Sequence, residues 1–574
     1  MEFSHLQHYI LVKLCAILFL VGALLLVFQW DKRKRFSSWG APVFLFFMGL
    51  CSGLGYYFLV QGTETMFWGL KGDEITIAAM YETFAHGSLL SDFAYRDLPP
   101  FYPPLFFWIV AICGRLFSWN GVQMAKWAAT SVIIFYPLLF YCIQKWFWSR
   151  QKGEHVPGPV SWMLSSIFLF IVISWDAVIL KPYELVSASL VVLWTQFFLH
   201  WLWDGEKKRF PALLWFGFTG GILFLLFYFW FFLAAIGVTL FHVFYKKVER
   251  RQYGTMMLVS ILMLLLGSLY AIPLVRSYHQ FGSENWQLGF LTPEWLATEA
   301  PFFSLTVQGI ILLIGLLTLL LYHSHFSMRV LLFLFIASYI WQLMGLVTIL
   351  FFSSPLQESK GFYFFNRSIL ALAAAYGLGE LWRRYAHVFL PKKKEIALVG
   401  ILLLSTLIFP GTFVDDPNVY GVRERSLHLH PDMKELVTFL ERTYPDIYAK
   451  TALQSGLHEL HAYLPVNDFV YFNMHNSHPA AQFSERYRFV QELARKPTPQ
   501  EFYAETQKTP FGPIDLFVFY TGDPAAYPLY FHVDDFPYGF KEEIVNIPKE
   551  LFDEQYFTPV FSNERYIVFT PKTR

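Results

Sequence analysis

Apolar runs long enough to cross a bilayer alternate with short polar intervals over the first 411 residues, at 9–30, 39–60, 122–145, 160–180, 184–203, 254–276, 304–323, 328–352, 363–384 and 394–411. The block 210–245 is too long for one span; it contains Gly220-Gly221 and is expected to fold as two. The pattern predicts about twelve spans, within a range of about 11–13. Beyond residue 411 the periodicity changes. Helical patterns at Pro431–Arg442, Ala480–Arg495 and Thr498–Thr506 alternate with strand-like runs at Phe469–Phe472, Ile514–Phe519, Ile544–Ile547 and Arg565–Thr570. The expected fold is a polytopic α-helical membrane domain over 1–411, followed by a mixed α/β domain over 412–574 large enough to bury its own core. No internal repeat or low-complexity tract interrupts this plan.

The loops orient the spans. Basic clusters occur at Lys32-Arg33-Lys34-Arg35, Arg150 with Lys152, Lys207-Lys208-Arg209, Lys246-Lys247 with Arg250-Arg251, Arg329, and Arg383-Arg384 with Lys392 to Lys394. All can be cytoplasmic together only if Phe101–Phe117 does not cross, so this segment is read as a juxtamembrane helix on the outer face. If it crossed, every later cluster would invert. The polar loops 61–100, 277–303 and 353–362 and the C-terminal domain then face outward. The first apolar run lacks a basic leader and a small-residue cleavage site and reads as a retained span.

Composition sharpens this picture. The chain is 55% hydrophobic and 15% charged, which excludes an ordinary soluble domain. A net charge of +1 gives no electrostatic footprint for nucleic acid. The four cysteines, Cys15, Cys51, Cys113 and Cys142, all lie in apolar segments, so the C-terminal domain is not a disulfide scaffold.

The polar interval Gln61–Pro100 carries the candidate chemistry, with Asp73, Glu74, Glu82, Asp92, Arg96 and Asp97 at the mouth of a membrane domain. Charges inside lipid are costly, so acids gathered at a membrane surface point to work on a lipid-carried substrate. Gly72-Asp73-Glu74 opens a helical stretch. Either carboxylate can act as a general base, or the pair can simply cap the helix and meet its dipole. In Tyr95–Pro104, Arg96 could hold a phosphate and Asp97 a sugar hydroxyl, or the two form a surface pair.

The stretch GDEITIAAMYETFAHGSLLSDFAYRDLPPFYPPLFFW resembles the first outer loop of GT-C membrane glycosyltransferases, most closely the arabinofuranosyltransferase family that primes galactan in mycobacterial cell walls. It is also similar to lipid A aminoarabinose transferases and protein mannosyltransferases. The resemblance implies a GT-C-like fold with a catalytic first outer loop at 61–121 and an inverting transfer from a polyprenyl-phosphate sugar donor to a cell-envelope glycan acceptor. It implies Asp73 as the base with Glu74 beside it, although the arabinosyl enzymes tend to have a different residue after the Asp. The sugar is therefore a pentose such as arabinofuranose, or a hexose. Asp97 and Tyr102 match the DLPPFYPP element. Lys181-Pro182-Tyr183-Glu184 resembles the family's polar turn between spans, where Lys181 would meet the lipid phosphate and Glu184 a hydroxyl. The alternative is a snorkelling Lys181 and a belt Tyr183. His475-Asn476-Ser477-His478-Pro479, with Phe483 and Arg486, is similar to a loop–helix element of the arabinosyl enzymes.

Weaker signals complete the set. Arg276, His279, Glu284 and Trp286 could cover a bound donor, and Trp68, Phe101, Tyr102 and Trp108 could stack on sugars or line a prenyl groove. Lys360 and Arg367 lie seven apart, on one face of a continuous helix, and offer two cations for phosphate. His458-Glu459-Leu460-His461 lacks the i, i+4 spacing of a metalloprotease helix, and His428, His430 and Asp432 match no metal signature. No metal site or structural zinc is expected and no cofactor is assigned; a divalent cation bridging Asp73 and a donor phosphate stays open. The alternative function is a transporter or flippase of a lipid-linked sugar, against which stand the near absence of charge within the spans and the large outer domain.

Overall fold

A computed structural model describes residues 4–30, 39–66, 69–70, 72–151, 156–173, 175–203, 210–245, 249–284, 287–389, 393–409 and 417–572. The clusters 32–35, 207–209 and 246–247, together with Lys152, Lys392, Trp68 and Trp286, lie outside the described residues.

Among the described residues each expected span is built on helix. The first polytopic stretch is α1 (His5–Trp30) and α2 (Gly40–Val60), followed by the short α3 (Asp73–Glu82) and α4 (Leu105–Phe117) and then α5 (Gly121–Trp148). Next come α6 (Pro159–Val172), α7 (Trp175–Leu180), α8 (Pro182–Trp203), α9 (Phe210–Phe227), α10 (Phe229–Phe244) and α11 (Arg250–Phe281). A one-turn α12 (Gln287–Phe290) precedes α13 (Val307–Leu321), α14 (Phe326–Phe352), α15 (Phe364–Arg384), α16 (Ala386–Phe389) and α17 (Lys393–Ile408). Among the described residues seven helices are long and apolar enough to span by themselves, which makes this a multi-pass membrane protein.

Three details differ from, or refine, the sequence pattern. The run 160–180 is not one helix: α6 stops at Val172, α7 follows, and Lys181-Pro182 turns the chain into α8. Proline has no N–H to extend a preceding helix, which is why the turn falls there. The block 210–245 does form two helices, but the break is at Tyr228. Gly220-Gly221 instead lets α11 approach α9, since a Cβ on Gly221 would lie 2.7 Å from Leu266 Cβ. Finally, α4 has 13 residues, about 20 Å at 1.5 Å per residue, shorter than a hydrocarbon core of about 30 Å.

The C-terminal region begins with α18 (Pro417–Ser426) and α19 (Pro431–Thr443) and also holds α20 (Phe483–Leu493) and α21 (Pro499–Gln507). Its mixed sheet contains β1 (Thr451–Gln454), β2 (Asn467–Asp468), β3 (Leu516–Tyr520), β6 (Phe557–Ser562) and β7 (Tyr566–Pro571), in the order β2-β1-β3-β7-β6. β1 runs parallel to β2 and β3, and β7 is antiparallel to β3 and β6. Side chains alternate across it. Ala452, Val518 and Val568 pack on Leu436 and Leu440 of α19. Leu453, Phe517 and Phe519 pack on Phe483, Phe502 and the inner face of a separate hairpin, β4 (Ala526–Asp535) with β5 (Gly539–Pro548). The expected strand Phe469–Phe472 is irregular, because its backbone is claimed elsewhere: Tyr471 N–H donates to the Tyr95 hydroxyl at 3.0 Å. Ile544–Ile547 is a fragment of β5, and Gln482 at φ +56° splits Ala480–Arg495 into a 3₁₀ turn and α20.

This region is fastened onto the loops between helices. The Arg423 guanidinium donates to the Leu59 and Gln61 carbonyls at 2.8 Å, and Lys434 pairs with Glu64 at 2.7 Å. The Asp468 N–H donates to the Ala94 carbonyl at 2.8 Å, and the Tyr448 hydroxyl to the Asp92 carbonyl at 2.7 Å. At the joint, Gly121 opens α5 with its N–H donating to Glu82 Oε2 at 2.7 Å, and a Cβ there would strike the carbonyls of Ala78 in α3 and Ala462. Gly121→Val is expected to cost about 1–3 kcal/mol through overpacking; a lowered thermal midpoint of the detergent-solubilised protein checks this, and an unchanged midpoint would show that the joint has slack.

Candidate active site

Asp73 is the first residue of α3, set there by Gly72, whose φ of +55° and ψ of −129° suit only glycine. Asp73 Oδ2 lies 2.7 Å from Lys181 Nζ, and the carboxylate stays 43% exposed. Lys181 occupies the α7–α8 turn, and one helical turn on, Glu184 is held 3.9 Å from the same ammonium. The fully buried Glu184 Oε1 accepts from Lys360 Nζ at 2.7 Å, delivered by the turn between α14 and α15. Four charges of alternating sign, Asp73, Lys181, Glu184 and Lys360, therefore run from a half-open mouth to a closed end. Burial of an ion is tolerable only with such pairing. Glu184 Oε2 has no hydrogen-bond partner among the described residues.

Burial alone would raise the Asp73 pKa, but Lys181, with smaller help from Lys360 and His475, holds it below the usual carboxylate range. Burial would lower that of Lys181, and Asp73 and Glu184 overcome it and raise it. For Lys360 burial wins, aided by repulsion from Lys181, and its pKa is lowered despite Glu184.

Aromatic rings wall the cluster. Tyr102 meets Tyr183 edge-on at 6.5 Å, and burial followed by the Asp73 charge keeps its phenol protonated. Lys360 sits 5.4 Å from the centre of the Phe227 ring. The roof comes from the C-terminal segment that follows Tyr471. His475 stacks on Phe290 of α12 at 3.5 Å between centroids and feels both Asp73 and Lys181; burial pushes its pKa to about 4. His478 packs on Phe101 at 5.8 Å and Tyr278 at 6.0 Å, and burial pushes it to about 3. Arg486 pins this segment by donating to the Ala481 and Phe469 carbonyls at 2.7 and 2.6 Å.

The other expected residues lie elsewhere. Glu74 is fully buried and faces Tyr56 of α2 and Lys126 of α5, away from Lys181. Arg96 and Asp97 form a surface pair at 3.4 Å, with Asp97 82% exposed and the Arg96 guanidinium also donating to the Ala449 carbonyl at 2.6 Å. Arg367 donates to the Val172 carbonyl at 2.9 Å and covers the Tyr363 ring, so it does not share the Lys360 cluster. Glu284 accepts the Ser484 N–H at 3.1 Å and ties its loop to the C-terminal region. Glu82 pairs with His86 at 2.9 Å, and Asp92 Oδ1 accepts from Ala94 N–H at 3.1 Å; both organise the first loop. Sequence reasoning missed Phe290 and Phe227; Phe290, an aromatic inside a polar interhelical loop, was the available signal. Among the described residues no three or more His, Cys, Asp or Glu side chains converge as metal ligands. A cation on Asp73 Oδ2 would first have to displace the Lys181 ammonium.

Comparison with known proteins gives this geometry a context. A family described as arabinofuranosyltransferase N terminal matches residues 13–388, which carry the whole four-charge chain. The galactan 5-O-arabinofuranosyltransferase of Mycobacterium leprae is 22% identical over 586 residues, covering 92% of this chain and 87% of that protein. The protein of the same name from Mycobacterium tuberculosis (strain H37Rv) is 22% identical over 542 residues, 88% of this chain and 79% of its own. That of Mycolicibacterium smegmatis is 23% identical over 516 residues, 82% and 77% respectively.

Two outcomes follow from the site itself. Glu184→Gln leaves two ammonium groups facing no buried carboxylate and is expected to cost about 3–5 kcal/mol, while Glu184→Gln with Lys360→Met recovers much of it; a double-mutant cycle on the unfolding transition reads the coupling, and additive losses would deny it. His475 and His478 are neutral when folded and gain protons more readily when unfolded. Their contribution is therefore complete above about pH 6.5, the ordinary histidine value, and is lost as pH falls toward their depressed values. The thermal midpoint should drop between pH 7 and pH 5, and less steeply in His475→Gln/His478→Asn; equal slopes would contradict the assignment.

Proposed function

The chain belongs to the arabinofuranosyltransferase N-terminal family, and from that premise we propose that it is an inverting glycosyltransferase that moves an arabinofuranosyl residue from a polyprenyl-phosphate donor onto a cell-envelope galactan at the outer membrane face. The observation that carries this reading is the Asp73–Lys181 pair at 2.7 Å, a carboxylate and an ammonium held together at a half-open mouth beside the membrane helices.

In the proposed reaction the acceptor hydroxyl oxygen attacks the anomeric carbon from the face opposite the phosphate. The bond from that carbon to the phosphate oxygen breaks, and polyprenyl phosphate leaves without needing a strong acid. Asp73 takes the hydroxyl proton. Paired with Lys181, Asp73 is ionised but a weak base. A donor phosphate that draws the Lys181 ammonium to itself restores the basicity of Asp73 as the substrate docks. One lysine thus serves as phosphate ligand and as the restraint on the base. Lys360 adds a second cation behind it, and Glu184 is the counter-ion that keeps both lysines charged in a buried place. Tyr102, half-buried beside the cluster, offers a face and a hydroxyl to the sugar, and the buried Tyr183 backs it. His475, neutral under its apolar roof, can donate or accept a hydrogen bond without adding charge.

The outward assignment rests on the distribution of basic residues. Arg150, Arg250, Arg329, Arg383 and Arg384 sit at the helix ends opposite those that carry Asp73, Lys181 and Lys360, and basic loops stay cytoplasmic. The 412–574 domain then stands outside the membrane, above the site.

Asp73→Asn should lower kcat by about 10²–10⁴-fold with donor binding retained, the usual weight of a general base; a transfer assay with polyprenyl-phosphoryl arabinofuranose and a galactan acceptor checks it, and unimpaired turnover would remove Asp73 from the role. Lys181→Met should raise KM for the donor. It should also move the acid limb of kcat/KM to higher pH, because the carboxylate loses the cation that holds its pKa down; an unmoved limb would separate the two groups.

A further inference from the structure

The β4–β5 hairpin has one face committed to the core and one that is open at its upper half. Leu529, Phe531, Val545 and Ile547 point inward. The opposite face presents Pro528, Tyr530, His532 and Asp534, with their cross-strand partners Asn546, Ile544, Glu542 and Phe540. The upper half of that face forms one wall of an open groove of about 830 Å³. The other wall is Tyr520, Asp523 and Arg565 on one side and Gly456, His458 and Phe472 on the other. Gly456 is required there, since at φ +77° its Cβ would lie 2.8 Å from the Tyr530 carbonyl oxygen.

The groove and the candidate active site share structural elements in two places. Phe472, in its wall, lies three residues before His475 in the roof over Asp73. The outer face of β4 also runs from Tyr530 down to Asp534, which packs on Gly289, next to the Phe290 ring that stacks on His475. Both Asp534 carboxylate oxygens are shielded and lack a hydrogen-bond partner among the described residues.

The lining selects the ligand class. Tyr530 and Tyr520, 5.9 Å apart and edge-on, offer apolar faces with polar rims, which match the alternating apolar and hydroxylated surface of a sugar ring. Asp523, Glu542 and Glu564 outnumber the one fixed cation among the described lining residues, Arg565, and burial lowers the His458 pKa, so the groove carries an acidic excess and a polyanion gains nothing from it. The volume is at the upper end for a small-ligand cleft and suits several linked rings.

We propose that this groove binds a neutral oligosaccharide stretch of the acceptor glycan, several residues from its reacting end. The proposal rests on the transferase reading for the identity of the glycan, but the groove acts independently of the chemical step. It makes the enzyme a reader of acceptor length: a short acceptor reaches Asp73 without touching Tyr530, whereas a long one is held at both places.

The test uses the full chain in lipid nanodiscs, with a short and a long galactan oligosaccharide as probes and heparin as a polyanionic competitor. Wild type should bind the long probe roughly tenfold more tightly than the short one, the weight of one aromatic contact centre. Tyr530→Ala/Asn546→Ala should erase that advantage and raise KM for the long acceptor, leaving kcat and all kinetics on the short acceptor unchanged. Both side chains face solvent, and an unaltered thermal midpoint confirms the fold; Glu542→Gln on the same face is the second variant and should give a smaller loss in the same direction. Asp73→Asn should keep the preference for the long probe over the short one. Equal binding of the two lengths by wild type, no binding of either, an undiminished length preference in both groove variants, or displacement of the long probe by heparin would overturn the proposal. If transfer survives Asp73→Asn while the groove variants lose length preference, the base assignment fails and the groove stands; the reverse pattern sinks the groove alone.

Discussion

The structure depends on how Glu184 is neutralised. A carboxylate with 1% exposure at the start of a membrane helix is costly unless cations meet it, and two do, Lys360 at 2.7 Å and Lys181 at 3.9 Å. Two lysines against one buried acid leave a positive charge over, and Asp73 at 2.7 Å completes the balance at the mouth. The four residues come from α3, the α7–α8 turn, α8 and the α14–α15 turn, so the pairing also fixes which helix ends must converge. An arriving anion would re-open this balance at its exposed end, because Lys181 has two acids to share and Lys360 is already committed. The same arrangement thus explains why the helices meet here and why the meeting point can respond to a phosphate.

The C-terminal region serves this cluster as well as covering it. Tyr95 from the first loop accepts the Tyr471 N–H at 3.0 Å and pairs with the Ser477 hydroxyl at 2.9 Å, so the segment carrying His475 and His478 is built against the loop carrying Asp73. Loss of a regular strand at Phe469–Phe472 is the consequence: backbone that could have extended a sheet is tied to the membrane part. The glycine at 121 and the Glu82 carboxylate that receives its N–H set how closely the two parts sit.

The sequence made the spans legible because lipid demands long apolar runs, and it made Asp73, Lys181, Glu184 and Lys360 legible because charges beside such runs need a reason. It did not show that these four belong together, since their loops are far apart in sequence. Glu74 illustrates the limit. Consecutive helical residues diverge by about 100°, so a neighbour of Asp73 had to point elsewhere, and it points into the bundle. Arg96 and Asp97 carry suitable chemistry, but whether a loop residue faces a site or solvent is a tertiary fact. The hairpin strand β4 went unread because Pro528 and the central polar residues blur its alternation, although its inner residues Leu529 and Phe531 keep the period of two. The Tyr228 break between α9 and α10 carries no proline or glycine signal, whereas Gly220-Gly221, which does, serves helix packing.

The central claim is that a donor phosphate takes Lys181 from Asp73. The most direct measurement is a cryo-electron microscopy structure of the full chain in nanodiscs with a non-hydrolysable polyprenyl phosphonate sugar. The account predicts the phosphonate within hydrogen-bonding distance of Lys181 Nζ, with the Asp73 carboxylate released toward the anomeric carbon and Glu184 still bound to Lys360. A phosphonate bound elsewhere, with the Asp73–Lys181 contact intact, would contradict it.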